Sequence, residues 1–306
     1  MELTDFSRIQ DAVDLRMVKN SHVVGVGAGG AFCLYDALAR SGISNLTVLD
    51  FDHVEATNLV RQGYDGTAIG RKKADALADH LANVNSGTTF TGITDNFLHM
   101  SDQELDVVFA PADILLFMTD SFEAQAFGNK LALRYQKPAI WAGYYERSQC
   151  AEIMFTIPGV TPACFRCAVS DRYVKQAASS GGISISSSCN TMFHSMLVDS
   201  FVGMLTMAIL HNDTVGFEFS NWFGTRWDRN LILFNVHPTT DTIQGAYFRE
   251  RMSLPTEGRG FNFNAIWQQI KEETHANGYG YNCPDCGGTG DLRNALLSIN
   301  KPTAHA

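Results

Sequence analysis

The sequence has no long apolar run, no basic leader, no excess of positive charge and no internal repeat. A membrane-crossing helix needs about 18 consecutive apolar residues. The nearest approach, 196–210, carries Asp199 and Ser200 and reads as a buried helix. The opening Met1-Glu2-Leu3-Thr4-Asp5 is acidic and lacks the basic-then-apolar order of a secretory leader. A net charge of −9 disfavours nucleic acid and anionic membrane surfaces, and leaves a basic protein partner open. The seven cysteines are an odd number, so no closed disulfide framework is expected. The expectation is a reduced, cytoplasmic protein. With 306 residues, 45% hydrophobic and 18% charged, the chain can bury one large core or two moderate ones.

What the chain does have is alternation. Residues 22–26 read as a compact apolar strand leading into the turn Gly25-Val26-Gly27-Ala28-Gly29-Gly30, with a helix over 31–41 and a second strand over 46–51. A β-turn-α-β unit of about 30 residues implies parallel strands. Helices are expected over 11–20, 70–83 and 123–135, and strands over 88–93, 114–118, 138–143 and 152–157. Residues 1–160 therefore read as a doubly wound, Rossmann-like α/β domain with a mostly parallel sheet. Residues 161–306 read as a second, α+β part. It holds a low-complexity, mobile loop over 177–188, a helix over 190–211, strands over 217–223, 231–236 and 243–248, a loop over 254–263 and a short helix over 292–299.

The glycine turn suits a phosphate cradle, with a tight turn that holds no ligand as the plainer alternative. Gly25, Gly27 and Gly30 fit G-x-G-x-x-G, and the following helix offers unpaired N–H groups and a partial positive charge. Asp50 falls about 20 residues later, where an acid meets a ribose hydroxyl, with Asp52 beside it. This much does not separate NAD from ATP. Asn58-Leu59-Val60-Arg61-Gln62 and Gly70-Arg71-Lys72-Lys73 then add cations just past the acidic strand end. A dinucleotide-binding dehydrogenase does not need them, whereas an enzyme handling a triphosphate does. Lys72 and Lys73 also suit a solvated helix face. Asp120, at the tip of the 114–118 strand, suits either Mg²⁺ binding or capping of the next helix.

Four of the cysteines form two Cys-x-x-Cys pairs, Cys164/Cys167 and Cys283/Cys286, about 115 residues apart. Four thiolates make a closed, structural tetrahedral zinc site, which would staple two distant segments together. Cys189 ends the serine-rich loop just before a long helix, a place that favours a thiolate and suits a nucleophile. A buried capping residue is the plainer alternative for it. His194, one turn on, suits either tuning of that thiol or the structural role more usual for a lone helical histidine. Cys33 and Cys150 read as packing residues.

Residues 22–73 resemble the ThiF/MoeB/HesA family of ubiquitin-activating-like adenylyltransferases. The likeness rests on the glycine turn with Gly29 and Gly30, Leu49-Asp50-Phe51-Asp52, Asn58-Leu59-x-Arg61-Gln62 and Gly70-x-x-Lys73. The family's G-x-G-G-x-G has one residue fewer before the helix. The resemblance implies ribose contact by Asp50, phosphate contacts by Asn58, Arg61 and Lys73, and Mg²⁺ on Asp120 of Thr119-Asp120. Phe6-Ser7-Arg8 resembles the family's N-terminal start, which implies that Arg8 reaches the nucleotide of the other subunit in a homodimer. It implies ATP, Mg²⁺ and structural Zn²⁺, and a small ubiquitin-like partner ending in Gly-Gly. Its carboxylate is adenylated and then captured by Cys189 or by an external sulfur donor. A ubiquitin-fold, rhodanese or conjugating partner is expected in trans. Two readings of other classes stay open: an NAD-dependent oxidoreductase, and an inactive scaffold subunit of an activating heterodimer.

Overall fold

Short apolar runs between turn residues become strands, and amphipathic runs between them become helices, in a computed structural model describing residues 4–179, 189–235, 264–268 and 283–287. The strands are β1 (His22–Val26), β2 (Asn45–Leu49), β3 (Thr89–Ile93), β4 (Ile114–Phe117), β5 (Ala139–Tyr144), β6 (Cys150–Thr156), β7 (Leu231–Asn235) and β8 (Asn264–Gln268). The helices are α1 (Leu15–Asn20), α2 (Phe32–Arg40), α3 (Lys73–Val84), α4 (Asp102–Phe109), α5 (Phe122–Tyr135), α6 (Phe165–Ala168), α7 (Ser170–Ala178) and α8 (Met192–Leu210).

All eight strands form one sheet in the order β3-β2-β1-β4-β5-β6-β7-β8. β3 to β5 pair in parallel, and β6, β7 and β8 are added antiparallel. The sheet thus continues through the boundary expected at residue 160. Alternate strand residues face opposite sides. Val23, Ile114 and Ile140 meet α2, α3 and α8, while Val24, Leu115 and Trp141 lie on the side of α4, α5 and α6. Strand order reverses between β1 and β4, and a crevice opens there at the carboxyl ends of the parallel strands. β6 runs the other way, so its register places Glu152 opposite Gly143 at that same edge.

Several boundaries differ from expectation for local reasons. α1 starts at Leu15, because the Asp14 carboxylate accepts the amides of Arg16 and Met17 as an N-cap. Residues 217–223 form turns rather than a strand. Gly216, Asn221 and Gly224 have φ of 90°, 58° and 57°, and the Ser220 hydroxyl accepts the Phe217 amide. α8 has the length and apolarity of a membrane span. Its Val198, Val202, Leu205 and Ala208 are nonetheless buried in the core shared with α2. The strand expected over 243–248, the loop over 254–263, the helix over 292–299 and residues 180–188 of the low-complexity loop lie outside the described residues.

Candidate functional site

The crevice is a cleft of about 230 Å³. One end is built by the glycine turn. Gly27 has φ of 97°, and a Cβ there would stand 2.4 Å from the Met118 carbonyl oxygen, so both conformation and space demand glycine. Gly29 and Gly30 line the cleft too. Gly25 does not: it lies inside β1 against the Tyr35 ring, so its role is packing. Tyr35 donates to the Gly27 carbonyl, and Tyr64 donates to the carbonyls of Ala28 and Lys73. The Asp50 carboxylate accepts the Ala28 amide at 2.7 Å and the Asp52 amide at 2.9 Å. Burial raises its pKa, opposed by the Ala28 bond and nearby Lys73.

Lys73 opens α3 with its side chain only 10% exposed, and its Nζ pairs with the Asp52 carboxylate at 3.0 Å. Arg61 lines the same wall and makes no ion pair among the described residues. Its carbonyl accepts the Ser195 hydroxyl. The other expected cations point elsewhere: Lys72 donates to the Phe51 carbonyl, and Arg71 pairs with Asp79. Asn58 also departs from expectation. It is buried, its Oδ1 accepts the Glu55 amide in a capping box, and it does not line the cleft. Asp120 lines the cleft past β4 and does not cap α5. Ser121 does, by accepting the Ala124 amide. Arg8 is exposed in a turn before α1, away from this cleft.

The far end carries residues the motifs did not single out. Gly143 and Tyr145 lie at or just past the end of β5, with Glu152 on β6 and Arg172 on α7. Arg172 pairs with Glu152 at 2.5 Å and donates to the Tyr145 hydroxyl, which itself donates to Glu152. Burial works against the Arg172 charge, but Glu152 and Tyr145 outweigh it and raise its pKa. Gln125 donates to the Thr119 carbonyl. Asn190, Ser195 and Asp199 close the wall from the side of α8. A lone acid inside an apolar run, as at Glu152 and Asp199, was the available signal, because a buried charge needs a partner.

The four paired cysteines converge on the α5–α6 side of the sheet. All four are buried, with Sγ atoms within 4.8 Å of one another. The separations are 3.8 Å for Cys164–Cys167, 3.9 Å for Cys164–Cys283 and 3.5 Å for Cys167–Cys286. A tetrahedron with metal–sulfur bonds of about 2.3 Å has edges of about 3.8 Å, so the donor set fits zinc. Without a cation, burial and the neighbouring sulfurs push the Cys164 thiol up. Asn129 donates to Asp285, which sits between Cys283 and Cys286, and accepts the Phe165 amide. Asp285 also pairs with Arg166 at 2.8 Å. Phe165 stacks on Trp141, and Trp141 on Phe117, which ties the cluster to the sheet.

Cys189 is exposed with φ of 65°, and does not line the cleft, although its neighbour Asn190 does. α8 begins two residues later than expected, with Thr191 as N-cap. His194 is occupied in the capping box with Thr191 rather than turned to a thiol. Cys150 is buried in β6, and burial raises Cys33 to about 11, as inert packing thiols would be.

The ThiF family model matches residues 3–234. The chain belongs to the ThiF family. Among its curated relatives, ubiquitin-like modifier-activating enzyme 5 of Drosophila willistoni is 31% identical over 173 residues, covering 54% of this chain and 40% of that protein. Molybdopterin-synthase adenylyltransferase of Escherichia coli (strain K12) is 33% identical over 152 residues, covering 49% of this chain and 59% of that protein. The chain spans about half the length of the curated relatives it matches. The ATP-bound structure of E. coli MccB superposes with a TM-score of 0.59 at 20% identity, over 84% of this chain and 65% of that one. That likeness shows the fold, and this ThiF-family chain shares it.

Proposed function

We propose that this chain adenylates the C-terminal glycine of a small ubiquitin-fold protein ending in Gly-Gly. The observation that carries the reading is the convergence of Arg61, Lys73 and Asp120 on one cleft with the glycine turn and Asp50. The activities named for the two relatives above support it. Asp50 would accept from a ribose hydroxyl. The amides of Gly29 and Gly30 and the start of α2 would cradle phosphates. The acyl carboxylate is already ionised at neutral pH, so it attacks the α-phosphorus without a general base. A new P–O bond forms, the bond to the β-phosphate breaks, and pyrophosphate leaves. Arg61 and Lys73 neutralise that leaving charge. Asp120 is the residue that would hold Mg²⁺, which supplies further neutralisation.

In the second step a thiol attacks the acyl carbonyl and AMP leaves. Cys189, exposed beside the cleft, is our candidate, with an external sulfur donor or conjugating enzyme acting in trans as the other acceptor. Arg8 would act across a homodimer. An NAD-dependent oxidoreductase would use the glycine turn and Asp50 but leave Arg61, Lys73, Asp120 and the four cysteines without a task.

Calorimetry with Mg-ATP and with NAD tests the adenylation reading directly. Mg-ATP is expected to bind, and Asp120→Ala to bind it at least about tenfold more weakly. NAD binding without Mg-ATP binding would sink the proposal. With a Gly-Gly partner supplied, Cys189→Ser is expected to keep pyrophosphate exchange and lose a thiol-sensitive protein adduct. An adduct persisting in that variant would remove Cys189 from the pathway.

A further inference from the structure

The adenylation reading leaves one buried acid without a task. Asp199 lies midway along α8, 4% exposed, and lines the cleft beside Gly30 and Ser195. Its Oδ2 accepts the Leu34 amide, in the first turn of α2, at 3.1 Å. α2 has Ala31 at its N-cap and no side-chain cap of its own, so Asp199 supplies from another helix an acceptor for one of its free amides. Among the described residues no cation pairs with it. The titratable groups that feel it are Cys33 and Tyr35 of α2 and Tyr144 of β5, all neutral at pH 7. On α8 itself Ser195 is neutral and bonded to the Arg61 carbonyl. The charged groups elsewhere on the cleft are Arg61, Lys73, Arg172, Asp50, Asp52, Asp120 and Glu152, of which Lys73 and Arg172 already pair with acids. Burial holds the Asp199 carboxyl well above the usual carboxylate range, opposed by the Leu34 amide.

A second group marks the same spot. Gln62 is 4% exposed, lies over Gly29 and has no partner for its Oε1. The start of α2 is therefore bordered by an acid with no counter-cation and by a buried amide oxygen that lacks a donor, which a hydroxyl or bound water of a nucleotide could supply but a phosphate oxygen could not.

We infer that Asp199 meets the nucleotide as a neutral acid: its carboxyl takes up a proton as the phosphates enter, and the resulting O–H donates to a phosphate oxygen at the start of α2. The inference rests on the nucleotide reading above. The proton comes from solvent, and the only bond formed on the protein is that O–H. The physical reason is repulsion. A carboxylate held in a low-dielectric wall beside a polyphosphate is disfavoured, and protonation turns it from a repelling acceptor into a donor.

The test is Mg-ATP calorimetry between about pH 6 and pH 9, in buffer pairs of different ionisation enthalpy, on the full chain. The wild type is expected to take up a proton on binding, with affinity falling up to about tenfold per pH unit above the Asp199 pKa. Asp199→Asn keeps a neutral donor. It should lose the proton uptake and bind at high pH as tightly as the wild type does at low pH. Asp199→Leu lacks the donor and should bind about tenfold more weakly than Asp199→Asn at every pH. The wild-type proton count does not depend on either variant folding. Mg-ATP binding with no proton uptake, or with the same uptake in wild type and Asp199→Asn, overturns the inference and leaves the nucleotide reading intact. No Mg-ATP binding by the wild type at any pH overturns both.

Discussion

A strong chelator is expected to cost this protein on the order of 10 kcal/mol of stability, enough to unfold the segment that the four cysteines join, if they hold zinc as their geometry fits. The purified chain should carry about one zinc per molecule, and a strong chelator should collapse its thermal transition. The size of the effect follows from the packing. Four sulfurs 3.5–3.9 Å apart in a buried cluster are spaced to be neutralised together by one cation. Losing the ion would also separate Asp285 from Arg166, whose side chains are 3% and 18% exposed. Cys164→Ser should reproduce the loss, whereas Cys33→Ser should leave metal content and melting unchanged. A protein that melts identically before and after chelation would refute the metal centre.

Replacing Lys73 or Arg61 is expected to have the largest effect on turnover, about 10³-fold for each alanine, equivalent to about 4 kcal/mol of transition-state stabilisation. Lys73 is the sharper case. Its stem is buried and its ammonium is held at the cleft by Asp52, so the charge is already in place when a triphosphate arrives. Lys73→Met keeps most of the volume and should fold, because Asp52 is half exposed and returns to water. The fall should appear mainly in kcat, since the leaving pyrophosphate carries more charge on the groups these cations touch than bound ATP does. Pyrophosphate exchange with a Gly-Gly partner reads it. Turnover within about threefold of wild type in both variants would show that neither cation meets the leaving group.

The elements read most easily are those whose determinants are neighbours in sequence. β1 has the bounds its apolar run announces, and Gly27 adopts the backbone that a β-to-α turn requires. α4 announces itself only by the capping box of Ser101 and Glu104, because the exposed Val107 blurs its apolar stripe. The turns at 217–223 looked like a strand because aromatic content says nothing about the positive φ of Gly216 and Asn221. In the site, Asp50, Arg61, Lys73 and Asp120 come together as their motifs suggest. Asn58 and Gly25 turn to the scaffold, since a motif records residue type and spacing but not which way a side chain faces.

The β-α-β beginning, the glycine turn, the acid and cations after it and the four thiols in two pairs are all carried by short-range spacing and can be read along the chain. Folding alone brings Cys164 to Cys283 across 119 residues, Asp199 to the start of α2 across 165, and Arg172 to Glu152 in the cleft wall. The reason is physical. Burial and charge pairing depend on which surfaces the sheet order brings together, and a long-range partner leaves no period in the chain to be read.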